Sequence, residues 1–479
     1  MICSWRRILA AACLAWGGAG GWRSALGVDL SAGPMVGHVT ETSARVWMQF
    51  PIAGEVTIRA YDTEAGGSPP VTQIELGLEG PTPFVCDVPL NNLRPSHSYR
   101  LDVKFEGKPV KLPPMVVRTC PLPGLDATFS VAFGSGMALS PMAPVVQAQQ
   151  NQGPDAPIIA GPPGPTRRAM PIFKAILNTK PRAFMFLGNS GYLPETLEQF
   201  PDTHRAAIRF ISDFHSAVRR EPDLTDLLCS TACYGLYDDR DFGPVGADSH
   251  FVFGPDSLVA FERFWPNADW GTPESPGCFS TFHFGDVDFY LLDARTFRDP
   301  GDGQKGGTML GAGQLAWLEK HIQQSTAVFK VLAAPVALVG DDPGTPSAEG
   351  WARFPEEQRG FLNFLQENGI GGVIALAGNQ PAAQLTRLTE IPGSGTKLPY
   401  PIFTLGCSTL AGPINAGNVE APPNALRVSQ PVAGDTFGTL DFGGDHDHRF
   451  VTMRIHDDTG KTRVEQVLFA GQLQAGGSH

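Results

Sequence analysis

From about residue 29 to residue 120 apolar and polar positions alternate in short runs. Ala44-Arg45-Val46-Trp47-Met48-Gln49-Phe50 is one such run and Val56-Thr57-Ile58-Arg59-Ala60-Tyr61 is another. Phe84 to Val88, Tyr99 to Phe105 and Met115 to Arg118 continue the series, with Gly, Pro and Asn turns between them. A period of two puts one face of each run in a core and the other in water. Several such runs in succession predict a small antiparallel β-sandwich over 29–120.

Asn92-Leu93-Arg94-Pro95-Ser96-His97-Ser98-Tyr99 reads as the corner before a late strand of a fibronectin-like sandwich, with the tyrosine anchoring it. Cys120-Pro121-Leu122-Pro123-Gly124 then reads as a linker, and the pattern changes beyond it. Phe129 to Phe133, Ala183 to Leu187, Phe289 to Leu292, Lys330 to Ala334 and Gly372 to Ala377 are short apolar runs, the signature of buried strands. Pro171 to Asn178, Ala206 to Arg219, Gly313 to Gln323 and Pro355 to Asn368 carry helical periodicity. The alternation predicts a layered α/β domain over about 127–470, in which chemistry belongs on the loops after the strands. The Gly/Pro/Gln-rich stretch from Met137 to Met170 has no period and reads as a surface insertion or as a lid over a site.

At 479 residues the chain is long enough for about two cores. Charged residues at 18% and hydrophobic ones at 42% describe a folded globular protein. A net charge of −12 argues against sequence-independent nucleic-acid binding, which depends on Lys and Arg. The start of the chain reads as an export signal over residues 1–27. Arg6 and Arg7 precede the apolar run Ile8 to Trp16, and Ala25 and Gly27 offer a cleavage point before Val28. Removing that segment takes away three arginines and no acid, lowering −12 to −15. Arg6-Arg7 also admits a twin-arginine signal, and Cys13 a lipid attachment site. No other stretch is long enough to span a membrane as a helix, so an exported protein of the periplasm, envelope or medium is expected. Export would leave Cys86, Cys120, Cys229, Cys233, Cys278 and Cys407. Cys86 and Cys120 could bridge within the strand region, whereas Cys229 and Cys233, four apart on an expected helix, are poorly spaced for a disulfide and are read as free buried thiols.

A family resemblance rests on motifs in order along the chain. Gly33-Pro34-Met35-Val36-Gly37 and Thr42-Ser43-Ala44-Arg45-Val46-Trp47 come first, then Val131-Ala132-Phe133-Gly134-Ser135, then Phe186-Leu187-Gly188 with Tyr192. Tyr237-Asp238-Asp239 with Asp241-Phe242-Gly243 follows, and Gly285-Asp286-Val287-Asp288-Phe289 leads to Leu292-Asp293-Ala294-Arg295. Met309-Leu310-Gly311 with Gln314 and Trp317-Leu318, then Phe437-Gly438-Thr439-Leu440, complete the set. Together they resemble the alkaline phosphatase D (PhoD-like) family over about residues 30–470. The resemblance implies a four-layer αββα metallophosphoesterase domain, phosphoester hydrolysis, and iron with calcium as cofactors.

Such chemistry needs anionic or imidazole ligands at strand ends, to hold cations that activate water and offset phosphate charge. Where the family has a cysteine after Gly134-Ser135, this chain has Gly136. Where it has aspartate and asparagine after Leu187-Gly188, Asn189 and Ser190 stand. Arg240 replaces the histidine of the signature turn, and Asn379, Gln380 and Pro381 replace an Asp-Arg-His sequence. Near Trp351 an expected aspartate reads Ala352. Asn keeps an oxygen but not the charge, Gly and Pro offer no ligand, and Arg repels a neighbouring cation. No transition metal is therefore expected, with weak calcium binding by Asp238, Asp239 and Asp241 left open.

Asp238, Asp239, Asp241, Asp293, Tyr192 and Arg295 keep their matching positions. Two readings apply to them. In one, Arg240 fills the vacated metal volume and pairs with Asp239 and Asp293. In the other, Asp239 and Asp241 hydrogen-bond their own turn and Asp293-Arg295 braces a loop. The vestigial pocket is expected to comprise Gly136, Asn189, Ser190, Tyr192, Asp238, Asp239, Arg240, Asp293, Arg295, Asn379 and Pro381. The sequence names no ligand for it, a phosphate-containing molecule being one candidate. Expected roles are binding without hydrolysis, hydrolysis with displaced ligands, or an envelope interaction made by the sandwich. His283, Asp445-His446-Asp447-His448, Arg167-Arg168 and Arg219-Arg220 read as packed-strand, turn or solvated surface residues.

Overall fold

The structure is a computed structural model that describes residues 29–66, 69–80, 83–138, 170–301, 306–342, 349–411 and 424–475. The expected export signal, Cys13, Arg167-Arg168 and most of the 137–170 stretch lie outside the described residues.

The alternating segments form strands. In order they are β1 (Ala32–Val39), β2 (Ala44–Phe50), β3 (Gly54–Asp62), β4 (Thr72–Leu78), β5 (Phe84–Leu90), β6 (Ser98–Phe105), β7 (Lys108–Pro109) and β8 (Val116–Arg118). β1-β2-β5 make one antiparallel sheet, and β4-β3-β6-β7, with β8 on β6, make a second. Their apolar faces share a core in which the Phe50 and Phe105 rings stack at 5.0 Å. Tyr99 anchors the preceding corner, its hydroxyl accepting the Arg94 amide N–H at 2.6 Å. Cys86 and Cys120 are buried free thiols, so no bridge joins them.

The second part begins with β9 (Phe129–Met137), β10 (Ala183–Leu187) and β11 (Ala232–Leu236), all parallel, with Met185 opposite both Phe133 and Tyr234. After a small hairpin, β12 (Gly271–Thr272) and β13 (Ser275–Pro276), come β14 (Ser280–Phe284), β15 (Val287–Leu291), β16 (Phe329–Ala334), β17 (Val373–Ala377), β18 (Gln384–Glu390) and β19 (Lys397–Gly406). The chain closes with β20 (Thr409–Ala411), β21 (Thr436–Gly443), β22 (Phe450–Asp457) and β23 (Thr462–Phe469). Two mixed sheets result, ordered β11-β10-β9-β21-β22-β23 and β14-β15-β16-β17-β19-β18. They stack through aromatic side chains, because strands buried on both faces carry apolar residues at every position. Phe129 lies against Phe284 at 5.5 Å and Phe442 at 5.0 Å, and Tyr234 stacks on Phe282 at 3.8 Å. Cys229 ends up on the helix Pro222–Ser230 and Cys233 on β11. The expected shared helix is cut short because the chain turns into the strand at Ala232.

The strand ends that carry the site meet across the two sheets. A Cβ at Gly378, after β17, would lie 2.3 Å from the Leu187 carbonyl oxygen and 2.9 Å from Ser135 Cβ, so β17 touches the ends of β10 and β9 only because no side chain stands there. Gly188, at φ +87°, does the same between Asp238 and Pro335.

The N-terminal sheets are welded to this body. β1 lies against β11 and the helix Pro222–Ser230. Trp47 Nε1 donates to the Arg263 carbonyl at 2.7 Å, and Glu41 Oε1 meets His283 Nε2 at 2.5 Å. His38 Nδ1 sits 3.2 Å from the Tyr234 hydroxyl. Arg219, expected on the surface, is buried here. Its guanidinium lies over the rings of Trp265 at 4.3 Å, Phe264 at 5.3 Å and Trp47 at 5.4 Å, and donates to the carbonyls of His215 and Phe264. It ends the helix His204–Val218, whose apolar face leads it inward, whereas Arg220 is exposed. Asp445-His446-Asp447-His448 is an exposed turn. Among the described residues no helix is long and apolar enough to cross a membrane.

Candidate functional site

Asp238 follows β11 and is fully buried at the centre of the strand-end cluster. Its Oδ1 accepts Arg295 Nε at 2.7 Å and lies 2.5 Å from Arg295 Nη2. Its Oδ2 accepts Asn379 Nδ2 at 2.9 Å and Asn189 Nδ2 at 3.3 Å. Burial pushes the Asp238 carboxyl up to about 6, with Arg295 opposing, so it is ionised above that pH. Arg295 is itself fully buried. Burial alone would lower its pKa, but Asp238 and Glu349 together raise it above its usual value. The second partner, Glu349, meets Nη2 at 2.7 Å.

Backbone geometry places the two asparagines. Asn189 follows β10 at φ +55° and Asn379 follows β17 at φ +51°, left-handed conformations that Asn bears better than most side chains. Asn189 Oδ1 accepts the Arg240 N–H at 3.0 Å, which turns its nitrogen toward Asp238. The Asn379 N–H donates to Ser135 Oγ at 2.7 Å. Tyr192 shares the strained region at φ +51°. Gly136 also does, at φ +67°. A Cβ there would come 2.9 Å from Thr409 Cγ2, so the backbone has no easy place for a side chain.

The remaining carboxylates are engaged by their own surroundings. Asp241, completely buried, accepts the N–H groups of Ser190 at 2.8 Å, Gly191 at 2.5 Å and Asp238 at 3.1 Å. Burial pushes its carboxyl up to about 7 against those donors. Asp239 accepts the Arg240 N–H at 2.9 Å and the Gly246 N–H at 3.0 Å. Asp293 takes five donors: Tyr237 Oη, Thr296 Oγ1 and the N–H groups of Cys278, Arg295 and Thr296.

Arg240 does not fill the centre. The four-residue helix Asp239–Phe242 aims it outward. Nε donates to the Leu193 carbonyl at 2.7 Å, Nη1 meets Glu195 at 3.3 Å, and the guanidinium lies over the Tyr192 ring at 4.8 Å. Its expected pairing with Asp239 and Asp293 is thus replaced by a rim position, and the buried guanidinium is Arg295. Pro381 also stands apart, exposed at the surface. Gly136, Asn189, Ser190, Asp238, Arg295 and Asn379 do converge. Tyr192 borders them.

Sequence reasoning missed Glu349 and His215. Glu349 carries no motif, and no signal along the chain points to it. His215 is wholly buried beside Gly191 and against Phe261, and burial pushes its pKa well below the usual value. Its place on the apolar face of the helix was the available signal.

Iron or calcium would need free lone pairs at these strand ends. Asp238 is held by Arg295 and two carboxamides and Asp293 takes five donors, Asp239 and Asp241 turn their oxygens to backbone N–H groups of their own loops, and Gly136 and Pro381 present no side-chain ligand. Among the described residues no group of three or more His, Cys, Asp or Glu side chains is arranged to hold a metal ion. The residues present do not fit the metals that the resemblance implies.

The family model for PhoD-like phosphatases matches residues 256–436. Alkaline phosphatase D of Bacillus subtilis (strain 168) is 28% identical over 125 residues, covering 22% of this chain. The matched segment spans 21% of that relative's length. Among solved structures, one of PhoD superposes with a TM-score of 0.71 at 16% identity, covering 96% of this chain and 92% of that one. Purple acid phosphatase PPD1 from yellow lupin (Lupinus luteus) seeds superposes with a TM-score of 0.61 at 11% identity, over 91% of this chain and 74% of that one.

Proposed function

We propose that this chain, which belongs to the PhoD-like phosphatase family, is a pseudophosphatase that keeps the family's fold and acts by binding rather than by metal-dependent hydrolysis. One observation carries the reading. Asp238, at the heart of the strand-end cluster, is held by Asn189, Asn379 and Arg295, three side chains that present N–H groups where a metal site needs lone pairs facing a cation. With no site for a cation to lower the pKa of a bound water, the cluster has no nucleophile ready at neutral pH. We take residues 29–120 as a fibronectin-like sandwich, 127–470 as the αββα domain, and the first 27 residues as an export signal, which would place the protein in the periplasm, envelope or medium. The ligand we favour carries phosphate, with the Arg240 guanidinium, over the Tyr192 ring at 4.8 Å, as the cation at the rim of the cluster.

The test is hydrolysis of p-nitrophenyl phosphate and bis(p-nitrophenyl) phosphate across roughly pH 6–10, with iron and calcium measured in the same preparation. Rates equal to buffer are expected, with less than stoichiometric metal. Activity that co-purifies with the protein and disappears in Asp238→Asn would overturn the proposal.

A further inference from the structure

An ionised carboxylate offers about four lone-pair positions. At Oδ1 of Asp238 the Arg295 Nε donates and Nη2 makes an ion-pair contact at 2.5 Å, and at Oδ2 the carboxamides of Asn379 and Asn189 donate. An ionised carboxylate only accepts, so each asparagine must turn its NH2 group, not its oxygen, toward Asp238. At residue 189 the Arg240 N–H holds the oxygen away. Both amides therefore present their positive ends to the same atom.

We propose that Asn189, Asn379 and Arg295 form a built-in counter-cation for Asp238. Two carboxamides and one guanidinium do from within the chain what a bound divalent ion does for facing carboxylates. The asparagines are then matched to one another and to Arg295, rather than being independent losses of ligands. The inference rests on the reading of the cluster given above, and it adds a chemical rule. With Asn at both positions the fold is indifferent to divalent cations. With Asp at either, an oxygen would face Oδ2 at hydrogen-bond distance and the fold would come to depend on a cation.

The experiment is thermal unfolding of the parent, Asn379→Asp, Asn189→Asp/Asn379→Asp and Asn379→Ala, each in EDTA and in millimolar manganese(II) chloride. The parent should melt at the same temperature in both. Asn379→Asp should lose several degrees in EDTA and the double variant more, with manganese restoring part of the loss in both. Asn379→Ala, which removes a donor without adding charge, should lose less than Asn379→Asp and ignore manganese. The idea is wrong if Asn379→Asp melts like the parent in EDTA, if Asn379→Ala loses as much as Asn379→Asp, or if manganese raises the parent by several degrees. Should the double variant fail to fold, the two single variants at residue 379 still decide. Hydrolysis by the parent would overturn the proposed function and leave these melting differences intact, so the two ideas fail separately.

Discussion

Replacing Arg295 by methionine keeps the side chain's length and removes its charge. Asp238 would lose the Nε donor and the Nη2 ion-pair contact on Oδ1, and Glu349 would lose its 2.7 Å partner. Stranding one member of a buried pair typically costs about 3–5 kcal/mol. Glu349 is partly exposed and recovers hydration, so most of that cost falls on Asp238. The cost depends on pH. Burial already holds the Asp238 carboxyl near 6, and without the guanidinium it moves higher. A folded pKa above the unfolded value of about 3.9 means that stability is greatest at low pH and falls as pH rises through the folded pKa. The gap between Arg295→Met and the parent should therefore be small near pH 5 and widen by about 1.4 kcal/mol per unit of further pKa shift above pH 6. Urea unfolding followed by circular dichroism at both pH values measures it. At neutral pH a loss of about 3–5 kcal/mol corresponds to a drop in Tm of about 3–5 °C for a chain of this size. Adding Asp238→Asn should recover more than half of the loss, as a double-mutant cycle would register. The reasoning is refuted if Arg295→Met unfolds like the parent at pH 8, or if Asp238→Asn brings no recovery. Arg240→Ala is the contrast, because its partner Glu195 is mostly exposed. The ion pair itself contributes less than about 1 kcal/mol, and leaving the Leu193 carbonyl without its 2.7 Å donor adds about 1 kcal/mol.

Three further outcomes are expected. Tyr99→Phe leaves the Arg94 N–H without its 2.6 Å acceptor and should destabilise the protein by about 1–3 kcal/mol in denaturant titration. Gly378→Ala drives a methyl against the Leu187 carbonyl at 2.3 Å and should cost about 1–3 kcal/mol or more, seen as a lower Tm. Burial, reinforced by His283 and Arg45 and opposed by Glu41, pushes His38 down to about 4. Its contribution is full above about 6.5 and is lost as pH falls toward 4, up to about 3 kcal/mol and less for the ring's partial exposure. His38→Phe should flatten that part of the stability-versus-pH curve, and an unchanged acid limb would refute it.

Much of the fold was legible because period and burial are local. The run Ala44 to Phe50 is β2 residue for residue, and the helix Pro171–Asn178 begins at its own proline. β1 and β4 escaped notice. β1 is buried along most of its length and so has no alternation to read, whereas β4 does alternate, with Gln73, Glu75 and Gly77 exposed, and its pattern was there to be found. At the site, the strand ends were legible because each apolar run announces where its loop begins, and Asn189, Asp238 and Asn379 stand there. The direction of a side chain was not. Arg240 neighbours Asp239 in sequence, yet a single helical turn carries it over Tyr192, while Arg295, bound to a loop two residues past Asp293, reaches back to Asp238. Cys229 and Cys233 show the same limit, since a helix end between them separates residues that periodicity would place on one face.

Arg219 has a consequence for how this polypeptide can be divided. Among the described residues it has no carboxylate at salt-bridge distance and leans on carbonyls and three rings, one of them Trp47 from the N-terminal sheets. Cutting the chain near Gly124 would leave one fragment with a tryptophan and the apolar face of β1 bare, and the other with a wet, half-covered guanidinium. Neither piece would be a module that recombination could move intact to another protein. The chain reads as two domains along its length, but as a heritable object it is one.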